Sequence, residues 1–167
     1  MLRILPLLIS ISILQCCANY KLGLPEGPPF RTIFIPAVVN KSFAPQMQIL
    51  LTTSLREAFA RSKTVRIADS RKDADATLEI TVTGYQRRMA TAQQQDTGQP
   101  ASFYLNLNAH GTLVNNRTGD IYFKSRPFVG KIQSYGGDKL VERERQNLHI
   151  LARNLSREIQ QEVTSTW

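Results

Sequence analysis

Residues 76–88 of this chain have the sequence ATLEITVTGYQRR. Its residues alternate in polarity, with Leu78, Ile80 and Val82 at one parity and polar residues at the other. Successive side chains of a strand point to opposite faces of a sheet, so this alternation predicts a half-buried strand. The same alternation places Tyr85 on the exposed face.

A second segment with the same period follows at residues 102–114, where Leu105 and Leu107 share a parity and His110 has the other. We therefore expect a second half-buried strand, with His110 on its exposed face. Residues 90–100 lie between the two strands and are polar and nearly uncharged. They are more numerous than a tight hairpin needs, and we expect them to form a mobile loop.

The sequence NNRTGD, residues 115–120, is typical of a hairpin turn. A partner strand should therefore begin at Ile121. We expect it to end near Arg126 and Pro127, because proline is confined to edge strands and strand ends.

Towards the N-terminus, TIFIP at residues 32–36 predicts a short strand, and residues 40–44 predict a turn. Pro45 suits the first turn of a helix, which should end near Ser62. TVRI at residues 64–67 then predicts a second short strand. A strand, a helix and a strand in this order predict a parallel βαβ unit. The apolar stripe of the helix comprises Met47, Leu50, Leu51, Leu55, Ala58 and Phe59.

The C-terminal segment predicts a long amphipathic helix with Asp138 as its N-cap. The predicted fold is α+β: a two-layer sandwich in the order β-α-β-β-β-β-α. It has a mixed four- to five-stranded sheet and two amphipathic helices on one face. A length of 167 residues suits one domain, which we place at residues 31–167. The apolar stripe of the last helix comprises Val141, Leu148, Leu151, Ala152, Leu155, Ile159 and Val163.

The first residues predict export. Arg3 precedes an apolar run at residues 4–14, which is too short to span a bilayer and ends at two cysteines. A leucine three residues before a cysteine resembles the lipobox of bacterial lipoproteins. The resemblance implies a signal peptide over residues 1–16, a lipid on Cys17 and a tether over residues 17–30. Cys16 is the alternative lipid site, disfavoured because the bulky Gln15 would precede it.

The chain carries no motif that predicts an enzyme, and we expect neither catalytic residues nor a cofactor. His110 and His149 have no second ligand at metal-binding spacing, so no metal site is expected. Asp73 and Asp75 fit a solvated turn better than a catalytic pair. The formal charge of +8 favours anionic partners. The export signal argues against nucleic acid.

Several basic residues follow the predicted long strands. If the strands pair as expected, several of these residues should converge at the rim of the sheet, where Lys and Arg bind phosphate groups well. The alternative is scattered, solvated charge. The candidates for an anionic-lipid site are Arg87, Arg88, Arg117, Lys124, Arg126 and Lys131.

Taken together, these motifs resemble the lipopolysaccharide-assembly lipoprotein family, LptE. The resemblance rests on the order of the segments CANYKL (17–22), TIFIP (32–36), LTTSLR (51–56) and ADATL (74–78), followed by a C-terminal helix. It implies a lipid-anchored, periplasm-facing protein of the outer membrane. Its partner would be the large β-barrel LptD, which it would plug while helping to deliver lipopolysaccharide to the outer leaflet.

A different class of function fits the same opening strand and helix. Periplasmic lipoproteins that activate peptidoglycan synthases, and curli-type secretion subunits, share such a start. A co-purifying barrel would favour the first reading, and a synthase or a ring of copies the second.

Overall fold

The computed structural model describes residues 27–93, 96–135 and 140–165. The signal peptide, both cysteines and Asp138 lie outside them. Within these residues the strands are β1 (Thr32–Phe34), β2 (Val39–Asn40), β3 (Arg66–Ile67), β4 (Ala76–Gln93), β5 (Asp96–Asn115) and β6 (Ile121–Tyr135). The α-helices are α1 (Met47–Ala60) and α2 (Leu140–Ser165), and a single 3₁₀ turn covers Arg71–Asp73.

The strands form one mixed sheet in the order β3-β1-β4-β5-β6, and β2 extends the β1 side of β4. β1 runs parallel to both β3 and β4, whereas β4, β5 and β6 are antiparallel neighbours. Helix α1 connects the parallel strands, as the βαβ prediction required. The predicted α+β class with a mixed sheet and two helices is confirmed.

The two helices pack beside each other against one face of the sheet, and the core lies between the layers. In α1 the buried residues are Met47, Leu51, Leu55 and Phe59, at the spacing of one helical face. Leu105 and Leu107 of β5 meet this layer and are at most 2% exposed. The buried residues of α2 are Leu148, Leu151, Ala152, Leu155, Ser156, Ile159 and Val163.

A β-bulge in β4 reverses the side chains that follow it. The register with β5 shifts between Val82 and Gly84, so one extra residue enters β4. Tyr85 therefore turns towards α2 and packs against the core. The expectation that Tyr85 lies on the exposed face was wrong, because strict alternation does not survive an inserted residue.

The expected loop at residues 90–100 was also wrong over most of its length. β4 continues to Gln93 and β5 begins at Asp96, with pairs such as Thr91 with Ser102 and Gln93 with Asp96. Backbone hydrogen bonds carry a strand pair forward whatever the polarity of its side chains. Polarity patterning reports burial, so it missed this extension.

β6 passes through Pro127 and continues to Tyr135, where the sequence had suggested an end near Arg126 and Pro127. Pro127 stands opposite His110 in the ladder. The strand tolerates it because β6 is the last strand in the sheet order, so a missing N–H need not interrupt an interior ladder.

The segment predicted as a turn at residues 40–44 begins inside β2. The sequence did not predict this strand, because two residues are too few to show an alternation of polar and apolar side chains. Val39 and Asn40 pair with Thr81 and Val82 of β4. The Asn40 side chain then braces the following turn, since its Nδ2 donates to the Ala44 carbonyl and its Oδ1 accepts from the Ser42 N–H.

Candidate functional site: the open sheet face

The face of the sheet opposite the helices, here called the open face, carries the candidate site. Beyond the bulge, Gln86 and Arg88 of β4 point to this face, since Tyr85 and Arg87 point to α2. Two cross-strand rows result from the register. One row joins Gln86, Asn106 and Lys131, and the next joins Arg88, Tyr104 and Gln133.

The two rows bring two cations into one polar surface. Arg88 and Lys131 lie two strands and two residues apart, which places their Cα atoms about 12 Å from each other by sheet spacing. Both are exposed, and the rows that hold them contain no carboxylate. Arg88 is held by its Nη2, which donates to Gln86 Oε1 at 3.1 Å. Two long cationic side chains at this spacing suit a ligand with more than one phosphate group.

Asn106, between these cations, has an unsatisfied acceptor. Its Oδ1 is buried and accepts no hydrogen bond from the part of the chain that the structure describes. Buried polar atoms are normally paired, so this oxygen lacks the donor that a small ordered water would supply. Tyr104 lies in the neighbouring row and is 47% exposed, which adds an aromatic surface to the same site.

The other four basic candidates do not join this pair. Arg87 faces α2, where its Nη1 lies 3.8 Å from Glu144 Oε2 and its guanidinium carbon lies 4.9 Å from the centre of the Phe103 ring. Arg126 pairs with Glu162 of α2. Charges that already have a carboxylate partner are less available to an anionic ligand.

Arg117 and Lys124 also lie apart from the Arg88 row. The turn that carries Arg117 begins at Asn115, eleven residues along β5 from Tyr104, or about 36 Å at strand spacing. Lys124 is exposed on β6, beside Ser125, which has a φ of 50°. The structure thus brings together Arg88 and Lys131, and it distributes the other candidates over the sheet and its turn.

Tyr85 and Glu144 fix the sheet to the start of α2 next to the site. The Tyr85 hydroxyl donates to Glu144 Oε1 at 2.8 Å. Burial raises the pKa of Tyr85, and the hydrogen bond with the Glu144 carboxylate raises it further. The hydroxyl therefore stays protonated and donating. This contact holds the strand on which Gln86 and Arg88 are displayed.

A second polar cluster, at the other end of the sheet, is structural. The Asp75 carboxylate accepts from the N–H groups of Arg31 and Thr32 at 3.0 Å and from the Thr32 hydroxyl at 2.9 Å. Arg117 Nη2 lies 2.5 Å from its other oxygen. Asp75 thus joins β1 to the β5–β6 turn, and the expectation of a merely solvated turn was wrong for this residue.

These hydrogen bonds lower the pKa of Asp75 to about 2. The backbone N–H of Arg31 has the largest effect, followed by the Thr32 hydroxyl, while partial burial opposes them. A carboxylate that accepts several hydrogen bonds is stabilised in its charged form. Asp75 is therefore a structural acceptor that is charged at neutral pH.

The described residues contain neither a cluster of metal-ligating side chains nor a helix suited to span a membrane. Within residues 27–93, 96–135 and 140–165, no three His, Cys, Asp or Glu side chains lie together as metal ligands would. His110 is exposed on the open face and His149 is exposed on α2. Neither α1 nor α2 is long and apolar enough to cross a membrane.

A family model described as "LptE: Lipopolysaccharide-assembly" matches residues 30–163, most of the chain. No curated protein sequence matches this chain.

Several solved structures share the fold. An uncharacterized lipoprotein B from Nitrosomonas europaea matches with a TM-score of 0.54 and 12% identity, over 87% of each chain. A hypothetical protein from Chlamydia trachomatis has a TM-score of 0.56 and 8% identity, over 80% of this chain and 97% of that one. A minor lipoprotein from Acinetobacter baumannii has a TM-score of 0.51 and 14% identity, over 80% and 91%. At such low identity these matches establish a common fold only.

Proposed function

Because this chain belongs to the LptE lipopolysaccharide-assembly family, we propose that it is an outer-membrane lipoprotein that plugs an LptD-type β-barrel. Membership makes it a lipopolysaccharide-assembly protein at the level of the family, and we propose that it acts without catalysis, as a lipoprotein of the bacterial envelope. The proposal adds the partner, the membrane and the site. Its lipid anchor would be Cys17, and its open face would contact lipopolysaccharide during delivery to the outer leaflet.

The open face is the observation that carries the proposal. A folded domain inside a large barrel contacts the polar inner wall of a water-filled lumen, so its exposed sheet face should be polar as well. Asn106, Asn108 and His110 occupy alternate positions of β5 on this face, with Gln86 and Gln133 beside them. Such side chains can hydrogen-bond to a polar wall, which an apolar sheet face could not do.

Arg88 and Lys131 supply the proposed contact with lipopolysaccharide. Its phosphate groups are anionic, and hydrogen bonds between charged groups are roughly twice as strong as neutral ones. Lys124, exposed farther along β6, is a third candidate contact for an extended ligand.

The partner is tested by purifying the lipidated protein from bacterial outer membranes with an affinity tag at its C-terminus. We expect a large β-barrel to co-purify in equal proportion. Recovery of a peptidoglycan synthase, or of a ring of copies, without a barrel would overturn the plug proposal in favour of the alternative function.

The site is tested with the double variant Arg88→Glu, Lys131→Glu. We expect its affinity for lipopolysaccharide to fall by at least about tenfold, since two charge-assisted contacts become repulsive. The matched control is Arg153→Glu, Arg157→Glu, which makes the same change in net charge on exposed positions of α2. Equal affinities for the two variants would refute the open face as the binding site.

A further inference from the structure

A second basic surface lies where the chain enters the domain. A depression with a volume of about 490 Å³ is lined there by Gly27, Pro28 and Thr64 together with Phe30 and three basic residues. The basic residues are Arg31, Lys63 and Arg66, here called the entry patch, and all three are exposed. It is separate from the open face, where Arg88 and Lys131 lie on distant parts of β4 and β6.

The backbone beneath the entry patch is fixed. The Arg66 N–H donates to the Arg31 carbonyl at 2.9 Å, and Thr32 pairs with Arg66 in the parallel ladder. The Arg31 N–H is bound to the Asp75 carboxylate. Phe30 beside it is only 3% exposed, and its ring centre lies 5.7 Å from that of Tyr122. The three cations therefore project from an ordered base.

The charge of the entry patch is not neutralised within the described parts of the chain. The ion pairs found there join other residues, and none involves Arg31, Lys63 or Arg66. Asp75, whose carboxylate binds the Arg31 amide, has its other oxygen on Arg117. Among residues 27–93, 96–135 and 140–165, those that line the depression include no carboxylate. An external anion is thus the natural counter-charge.

The position of the entry patch decides which anion it meets. Only nine residues lie between Cys17 and Gly27. The two Cα atoms are therefore ten residue steps apart, at most about 35 Å when the chain is fully extended. A lipid on Cys17 would hold the entry patch within that distance of the bilayer surface. Electrostatic attraction to a surface is screened over about 8 Å at physiological salt, so the domain needs to approach closely for the charges to act.

We propose that the entry patch docks the domain onto anionic phospholipid headgroups of the membrane that holds its lipid anchor. Each Lys or Arg near an anionic surface strengthens attachment about fivefold. Three such residues beside the tether orient the domain, which an acyl anchor alone does not do. The inference rests on the proposed anchor at Cys17, but not on lipopolysaccharide binding by the open face.

The test uses the lipidated protein reconstituted into vesicles, because the anchor is part of the proposal. One set of vesicles contains phosphatidylcholine alone, and the other contains phosphatidylcholine and phosphatidylglycerol. The rate of amine labelling is followed at Lys63, with Lys41 as the internal control. Both side chains are exposed, and Lys41 follows β2, outside the entry patch and outside the rows that hold Arg88 and Lys131. We expect phosphatidylglycerol to slow labelling of Lys63 about fivefold and to leave Lys41 unchanged.

A variant with Arg31→Gln and Arg66→Gln should restore the labelling rate of Lys63 in anionic vesicles. Equal rates at Lys63 in the two vesicles, or equal slowing at Lys41, would overturn the proposal. A third vesicle containing lipopolysaccharide separates the two sites. Slowing at Lys63 by lipopolysaccharide but not by phosphatidylglycerol would overturn phospholipid docking and reassign the entry patch to lipopolysaccharide. An unchanged labelling rate at Lys131 in the lipopolysaccharide vesicles would count only against the open-face site.

Discussion

Asp75→Asn should destabilise the protein in a way that depends on pH. The substitution keeps the size of the side chain and one acceptor oxygen, but it removes the charge that two backbone N–H groups, a hydroxyl and a guanidinium stabilise. A pKa lowered from 3.8 to about 2 corresponds to about 2.4 kcal/mol of folding free energy. The side chain is 19% exposed, so this value is an upper bound.

The sign follows from proton binding. The unfolded chain takes up the Asp75 proton near the ordinary aspartate pKa of 3.8, whereas the folded protein takes it up near 2. The stabilisation is therefore complete above about pH 5 and is lost as the pH falls towards 2. Asp75→Asn should cost about 2 kcal/mol at neutral pH and much less near pH 2.

Urea unfolding followed by circular dichroism, at neutral pH and near pH 2.5, measures both values. The exposed Asp69 provides the control substitution Asp69→Asn, which should change the free energy of unfolding by less than about 0.5 kcal/mol. A cost for Asp75→Asn that is equal at both pH values would refute the reasoning, since the loss would then arise from packing and not from charge.

Three further substitutions test the packing of the two layers by thermal or urea unfolding. Leu155→Ala, at a fully buried position of α2, should cost about 2–5 kcal/mol, whereas Ile150→Ala, at a position 46% exposed, should cost far less; equal costs would contradict the assigned core. Gly111→Val should cost about 1–3 kcal/mol, because a Cβ there would lie 2.7 Å from the Phe128 ring and 2.9 Å from Ile80. Gly27→Ala is the control, since a Cβ at position 27 has no atom within 4 Å. A neutral result at position 111 would show that the layer can expand. Tyr85→Phe should cost about 1 kcal/mol through loss of the hydrogen bond to Glu144, whereas Tyr104→Phe should be neutral; no difference between them would refute the role of that bond.

The elements that bury a face could be predicted from sequence. In α1, Leu51 and Leu55 repeat at the helical period, and in β5, Leu105 and Leu107 repeat at the strand period. Burial against the second layer is what imposes both periods. The helices, the long strands and the parallel βαβ unit could therefore be predicted from residue spacing alone.

Backbone events without a burial pattern could not be predicted. The bulge before Gly84 inserts one residue and reverses the face of Tyr85. Gly84 itself was the available signal, because glycine inside a strand often marks a bulge. The extension of β4 to Gln93 depends on backbone pairing alone, which polar side chains do not report.

The residues of the candidate site could be predicted from sequence, but their grouping could not. The list of cations contained Arg88 and Lys131, but their grouping depends on which residues of β4, β5 and β6 stand opposite one another. The bulge shifts that register. Asp75 was missed as a structural acceptor because its partners Arg31 and Thr32 lie more than forty residues away in sequence.

The outer edge of β6 has a consequence for behaviour at high concentration. An edge strand offers unpaired backbone groups on which another chain can add a strand, a common route to aggregation. Here Pro127 lacks an N–H, and Ser125, two residues earlier, has a left-handed backbone with a φ of 50°. Together they break the edge within its first half. A neighbouring molecule therefore meets only interrupted runs of regular edge on β6, which protects this side of the sheet against edge-to-edge pairing.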